Sequence, residues 1–145
     1  MTLGTLALAQ HLNSDRFAVR GAVTAIRNAF MQLDQLQLLT VDGSERRASA
    51  RVRLHVPVNI TAAVVELAQE QVQSADGPSI SAVTRDISLG GLGLLHSAPM
   101  PSQRALVRFD LPGDGPIQLV IEVVWSNRTD DGTWASGARI LGLAS

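Results

Sequence analysis

The 145-residue chain has no cysteine and no lysine, and its aromatic side chains are limited to Phe17, Phe30, Phe109, Trp125 and Trp134. Without cysteine there is no disulfide, no thiolate nucleophile and no cysteine-ligated metal, and the redox compartment leaves no trace. Without lysine, the phosphate loop of nucleoside triphosphatases, which requires one, is excluded. All twelve basic residues are arginine. A biased composition accounts for this most simply, yet arginine is also the side chain suited to planar, two-pronged contacts with phosphates and guanine edges. The net charge is −1, so the molecule is no polycation holding nucleic acid by bulk electrostatics. Any anion binding has to be local.

Long apolar runs are missing too. No stretch approaches the roughly 18 residues of a membrane span. The apolar start, MTLGTLALAQHL, lacks the basic residue that opens a secretory signal. The expected location is the cytoplasm. Hydrophobic content of 46% against 17% charged describes a folded chain. The length suits one buried domain with an extension.

Two unlike parts follow from the hydrophobic pattern. From about Asn13 to Leu39, Val19, Val23, Ile26, Phe30, Leu33 and Leu36 recur three or four apart, which predicts an amphipathic helix. Asn13 or Ser14 can cap it, with Asp15 in the first turn. Val23, Ile26, Phe30 and Leu33 also fit two heptads. The helix is thus expected either to pack on its own domain or to pair with a second copy as a homodimer. TVDGSE, from Thr40 to Glu45, breaks the pattern as a linker. Beyond it the period becomes two: Val52, Leu54, Val56 and Val58 alternate with Arg51, Arg53, His55 and Pro57. Strand-like runs then recur in SISAVTRDIS, GLGLLHS, ALVRFDL, IQLVIEVVWS and TWASGARILGL, with Pro-Gly-Asp-Gly-Pro and Asp-Asp-Gly turns between them. A mainly β domain of about six antiparallel strands follows, a barrel or a sandwich.

Little supports catalysis. His11, His55 and His96 are scattered and form no metal-ligand spacing. Asp130 and Asp131 adjoin Gly132 in a turn, and Ser88 lacks the G-x-S-x-G context of an activated nucleophile. We expect no enzyme, no metal and no cofactor.

Two short segments carry more. Arg47-Ala-Ser-Ala-Arg51 is an R-x-x-x-R, and Asp86-Ile-Ser-Leu-Gly-Gly91 is a D-x-S-x-x-G. In this order within a β-rich stretch, the pair resembles the PilZ domain, a family of receptors for the bacterial second messenger cyclic di-GMP. The resemblance runs from about Glu45 to Leu143. ERRASARVRL is similar to the family's entry strand, RDISLGGLGLL to its central signature and VVWSN…GARILGL to its last strands, with Ile140 where an aromatic is common.

The resemblance implies a six-stranded antiparallel β-barrel, split-barrel-like, preceded by an α-helix. Residues 1–40 are then a helical extension, 41–46 a linker and 47–145 the barrel. It also implies that Arg46, Arg47, Arg51, Asp86, Ser88 and Gly91 bind cyclic di-GMP. Guanine O6 and N7 suit an arginine fork, so Arg47 and Arg51 can divide base and phosphate between them. Asp86 can accept from guanine N1–H and its 2-amino group, and Ser88 can donate to the ligand or hold its loop. Gly91 provides a backbone shape or close approach that a side chain would prevent. Arg46, directly before the motif, is associated in the family with an intercalated pair of ligand molecules. Arg53 reads as a solvated strand residue, Arg85 as facing away from Asp86 if its strand is regular, and Trp125 as core or rim.

The expected function is a cytoplasmic cyclic di-GMP receptor. It would signal by rearranging the N-terminal segment or a surface for a downstream protein partner, in motility or biofilm regulation. The alternatives are a PilZ-fold adaptor that binds protein without nucleotide, and a single-strand-binding barrel. The latter needs a basic groove interleaved with aromatics, and the aromatics are too few.

Overall fold

The computed structural model describes residues 9–31, 52–75, 77–113 and 115–145. The linker expected at 41–46 and the helix expected beyond Met31 lie outside these residues. The described chain opens with strand β1 (Gln10–Asn13) and helix α1 (Arg16–Met31). The cap is Asp15, one or two residues later than the sequence suggests. Its Oδ1 accepts the Phe17 N–H at 3.1 Å, and Asn13 Oδ1 accepts the Asp15 N–H at 3.0 Å. The shift has a cause: Asn13 is still strand, paired with Leu143.

The other strands are β2 (Val52–Arg53), β3 (Pro57–Glu66), β4 (Gln71–Ser74), β5 (Ile80–Ile87), β6 (Gly91–His96), β7 (Arg104–Leu111), β8 (Gly115–Arg128) and β9 (Trp134–Ala144). Every pairing is antiparallel. In the order β3–β7–β8–β9–β6–β5, with β5 returning to β3, six of them hydrogen bond into a closed ring. The fold is therefore mainly β with one helix ahead of the ring.

Alternation explains the ring. On β7, Ala105, Val107, Phe109 and Leu111 are buried while Arg108 and Asp110 are exposed. Ile60, Leu92, Leu94, Leu119 and Ile121 fill the same interior. The helix lays Val19, Ala22, Val23 and Ile26 into that core, at the spacing of one helical face. Val23 and Ile26, the centre of the stripe that could have paired two copies, are thus buried in the chain's own domain. Burying one such side chain contributes about 1.5–3 kcal/mol.

A second, smaller cluster lies outside the ring. Leu106 and Val120 project outward from β7 and β8, and with Ala63 they are covered by Leu12 of β1 and Val72 of β4. β1 bridges β4 and β9, pairing Gln10 with Val72 and Leu12 with Ala144. Neither β1 nor β4 is announced by the sequence, since each has one buried residue among four and shows no alternation. The β8–β9 connection does follow expectation: Gly132 has φ of +86°, and Asp131 Oδ1 accepts the Thr133 N–H at 3.0 Å. Among the described residues, no helix is long and apolar enough to cross a membrane.

Candidate functional site

β5 departs from regular geometry where the D-x-S-x-x-G motif begins. Its register on β6 runs Thr84↔Leu94 and then Asp86↔Gly93, so Arg85 is an extra residue, a β-bulge. In a regular strand Asp86 would share the inward face of Ala82 and Thr84. The bulge reverses the parity, turning Asp86 outward and Ile87 into the core. The bulge is fastened from outside. Arg85 C=O accepts the Leu54 N–H at 3.3 Å, and buried Thr84 Oγ1 accepts the Val56 N–H at 2.9 Å while donating to Leu54 C=O. β2 adds Val52↔Ile87 and Arg53↔Asp86. The chain emerging from the arginine segment is therefore anchored beside Asp86.

Ser88 and Gly91 close the following turn. The Ser88 N–H donates to Gly91 C=O at 2.9 Å, and the Gly91 N–H donates to Ser88 Oγ at 3.1 Å. Both residues are buried. Of the two tasks expected of Ser88, holding the loop is the one this geometry provides.

A second bulge stands on β8. Its register on β9 passes from Val123↔Ala138 to Trp125↔Gly137, leaving Val124 over. Leu119 and Ile121 point inward, so an unbroken strand would send Trp125 inward as well. The bulge turns it out, and Trp125 is 39% exposed. Of the two places expected for Trp125, core or rim, the bulge excludes the core.

The two bulges bound one cross-strand row: Asp86 on β5, Gly93 on β6, Gly137 on β9 and Trp125 on β8. Both central positions need glycine. A Cβ on Gly93 would stand 2.7 Å from Asp86 Oδ1, and one on Gly137 would overlap the Trp125 indole. The carboxylate and the indole thus lie flat across the sheet, one over each glycine. Arg85 joins them, contrary to the expectation for a regular strand. Its Nε is 3.5 Å from Asp86 Oδ2, and its Cζ is 5.9 Å from the Trp125 ring centroid.

Next to this row runs an ion ladder, Arg104↔Glu122↔Arg139, which continues in register to Gly91. Glu122 accepts from Arg104 Nε at 3.1 Å and from Arg139 Nε at 2.8 Å. The Arg139 bond first, then the Arg104 bond, holds its carboxyl below the usual value of 4.5.

The structure brings together Asp86, Ser88 and Gly91; Arg46, Arg47 and Arg51 lie outside the described residues. Sequence reasoning missed Gly93, Gly137 and Arg85, and left Trp125 between core and rim. The available signal was glycine inside two strands, which marks a close approach of other atoms. A groove of about 810 Å³ at the ring's rim is lined by residues including Phe30, His55, Val83, Leu95 and Thr133, and among its described lining residues are none of Asp86, Ser88 and Gly91. His96 is buried, with Nε2 2.7 Å from Ser136 Oγ.

No curated protein sequence matches the chain. The solved PilZ domain of YcgR from Escherichia coli, determined with cyclic di-GMP, is similar at 15% identity over 66% of this chain and 78% of that one, with a TM-score of 0.39. The model of the PilZ domain family matches residues 45–144. That match spans more than half of the sequence: the chain belongs to the PilZ domain family.

Proposed function

We propose that the chain is a receptor for cyclic di-GMP, a binding module and not a catalyst, which takes a guanine at the Asp86–Trp125 row. The observation that carries this reading is the row itself. An outward carboxylate and an exposed indole lie side by side over two glycines that keep the sheet surface flat. A carboxylate accepts from guanine N1–H and the 2-amino group, which adenine cannot match. An indole stacks on the purine plane, a contact worth about 1–3 kcal/mol.

The arginine motif supplies what the row lacks, charge for the two phosphates. Arg47 and Arg51 are its anion-binding pair, and Arg46 favours two intercalated ligand molecules. The support is chain continuity: Val52, next after Arg51, pairs with Ile87 one position from Asp86. Ser88 and Gly91 hold the turn that fixes the carboxylate.

Signal transmission is narrowed by α1. Its apolar face is embedded in the core, so shifting the helix would expose Val23 and Ile26. We therefore place the ligand-dependent change outside α1, where a protein partner can read it.

Calorimetric titration of the chain with cyclic di-GMP tests the reading. Wild type should bind, and Arg47→Ala should weaken binding by roughly tenfold to a hundredfold, as expected for losing a charged hydrogen bond. The stoichiometry, one or two per chain, decides the role of Arg46. Absence of binding by wild type would overturn the receptor and leave the adaptor.

A further inference from the structure

We propose that Arg85 competes with the guanine for the Asp86–Trp125 row and must be displaced before the base can bind. This rests on reading the Asp86–Trp125 row as the guanine site.

Chemistry links the two groups. A guanidinium and the N1–C2–N2 edge of guanine are both planar, and both present neighbouring N–H donors in one plane to a carboxylate. Both can also lie on the face of an indole. In this protein Arg85 makes both contacts at once: Nε stands 3.5 Å from Asp86 Oδ2 and Cζ 5.9 Å from the Trp125 ring centroid. Those are the two groups that the base needs.

The arrangement is built into the backbone. Adjacent residues of a regular strand point to opposite faces, so Arg85 could not share a face with Asp86 without the bulge that inserts it. Two glycines in the neighbouring strands then lay Asp86 and Trp125 flat beneath the guanidinium. The Arg85 side chain remains 41% exposed while that of Asp86 is 15% exposed. The guanidinium therefore has a path out to solvent, whereas the carboxylate is the more enclosed of the two. Arg85 is a regulatory, affinity-setting residue: it competes with the base for Asp86 and the indole, and raises the ligand concentration at which the site fills.

The test is calorimetry on the full chain with cyclic di-GMP and cyclic di-AMP, comparing wild type, Arg85→Met and Arg85→Gln. Thermal unfolding serves as the control for folding. Both variants should bind cyclic di-GMP about threefold to tenfold more tightly, the fold-change corresponding to losing one exposed ion pair and one weak cation–π contact. Neither should gain cyclic di-AMP, because adenine lacks the donor edge that Arg85 imitates. Binding by wild type with unchanged or weaker affinity in both variants would overturn this inference alone, making Arg85 a bystander or a direct phosphate ligand. An equal gain for cyclic di-AMP would also overturn it, since the freed surface would then be only a stacking platform. Cyclic di-GMP binding by none of the three proteins would overturn the guanine site itself and this inference with it.

Discussion

The outer surface of the ring is treated in two opposite ways. On one side Leu106, Val120 and Ala63 carry apolar side chains outward, and the protein covers them with β1 and β4. On the other side the outward positions of β6 and β9 are Gly93 and Gly137, flanked by Asp86 and Trp125. The Arg104–Glu122–Arg139 ladder runs along the seam. One side is finished by the chain itself through apolar burial, which is non-directional and only needs area. The other has little apolar side chain to bury and offers directed groups, a carboxylate and an indole. The second side is the face we propose for binding.

Substitutions can break that division. The largest expected effect on stability is on the covered side. Leu12→Ala should destabilise by about 2–5 kcal/mol, as for other buried Leu→Ala changes. Denaturant unfolding would measure it, and the folded fraction should keep its affinity for cyclic di-GMP. On the open side the pattern inverts. Asp86→Ala should leave the unfolding midpoint nearly unchanged but weaken ligand binding by about 1.5–3 kcal/mol, the range for a charged hydrogen bond. Gly137→Ala is a subtler probe, because the new methyl overlaps the indole and must push Trp125 off the sheet. Affinity should fall by about 1–3 kcal/mol, the worth of a base–aromatic stack.

The smallest effect belongs to the seam. Glu122 has a depressed folded pKa because Arg139 and Arg104 bond to it. Its contribution is therefore fully present above its ordinary value of 4.5 and is lost as pH falls through the lower folded value. Glu122→Gln should flatten the acid-side decline of stability. Asp131, lowered from 3.8 chiefly by the Thr129 hydroxyl, will keep some of that decline in the variant. Thermal unfolding from pH 6 to about 3 would read this out, and an unchanged profile would remove the ladder from the account.

How much was legible follows from how each feature is encoded. β7 announces itself because Ala105, Val107, Phe109 and Leu111 alternate with polar residues over a full strand. The α1 face does so because four buried residues repeat at helical spacing. Asp86, Ser88 and Gly91 were legible as a motif, since a tight turn demands particular residues at fixed offsets. β1 and β4 were not, because one apolar residue in four carries no period. The bulges at Arg85 and Val124 were hidden for a different reason. An inserted residue changes which face every later side chain takes, yet leaves the composition of the strand untouched. The faces that Arg85 and Trp125 take were hidden for that single cause. Gly93 and Gly137 did stand in the sequence, but their use depends on a pairing between strands more than forty positions apart, Gly93↔Gly137, which composition cannot reveal.

The division of the outer surface can be read in one experiment: backbone and indole ¹H–¹⁵N resonances followed as cyclic di-GMP is added. The account predicts shifts at Asp86, Gly93, Gly137 and the Trp125 indole N–H, with Leu12, Val72, Leu106 and Val120 unmoved. Shifts confined to the covered side, or none at the Asp86–Trp125 row while ligand binds, would contradict it.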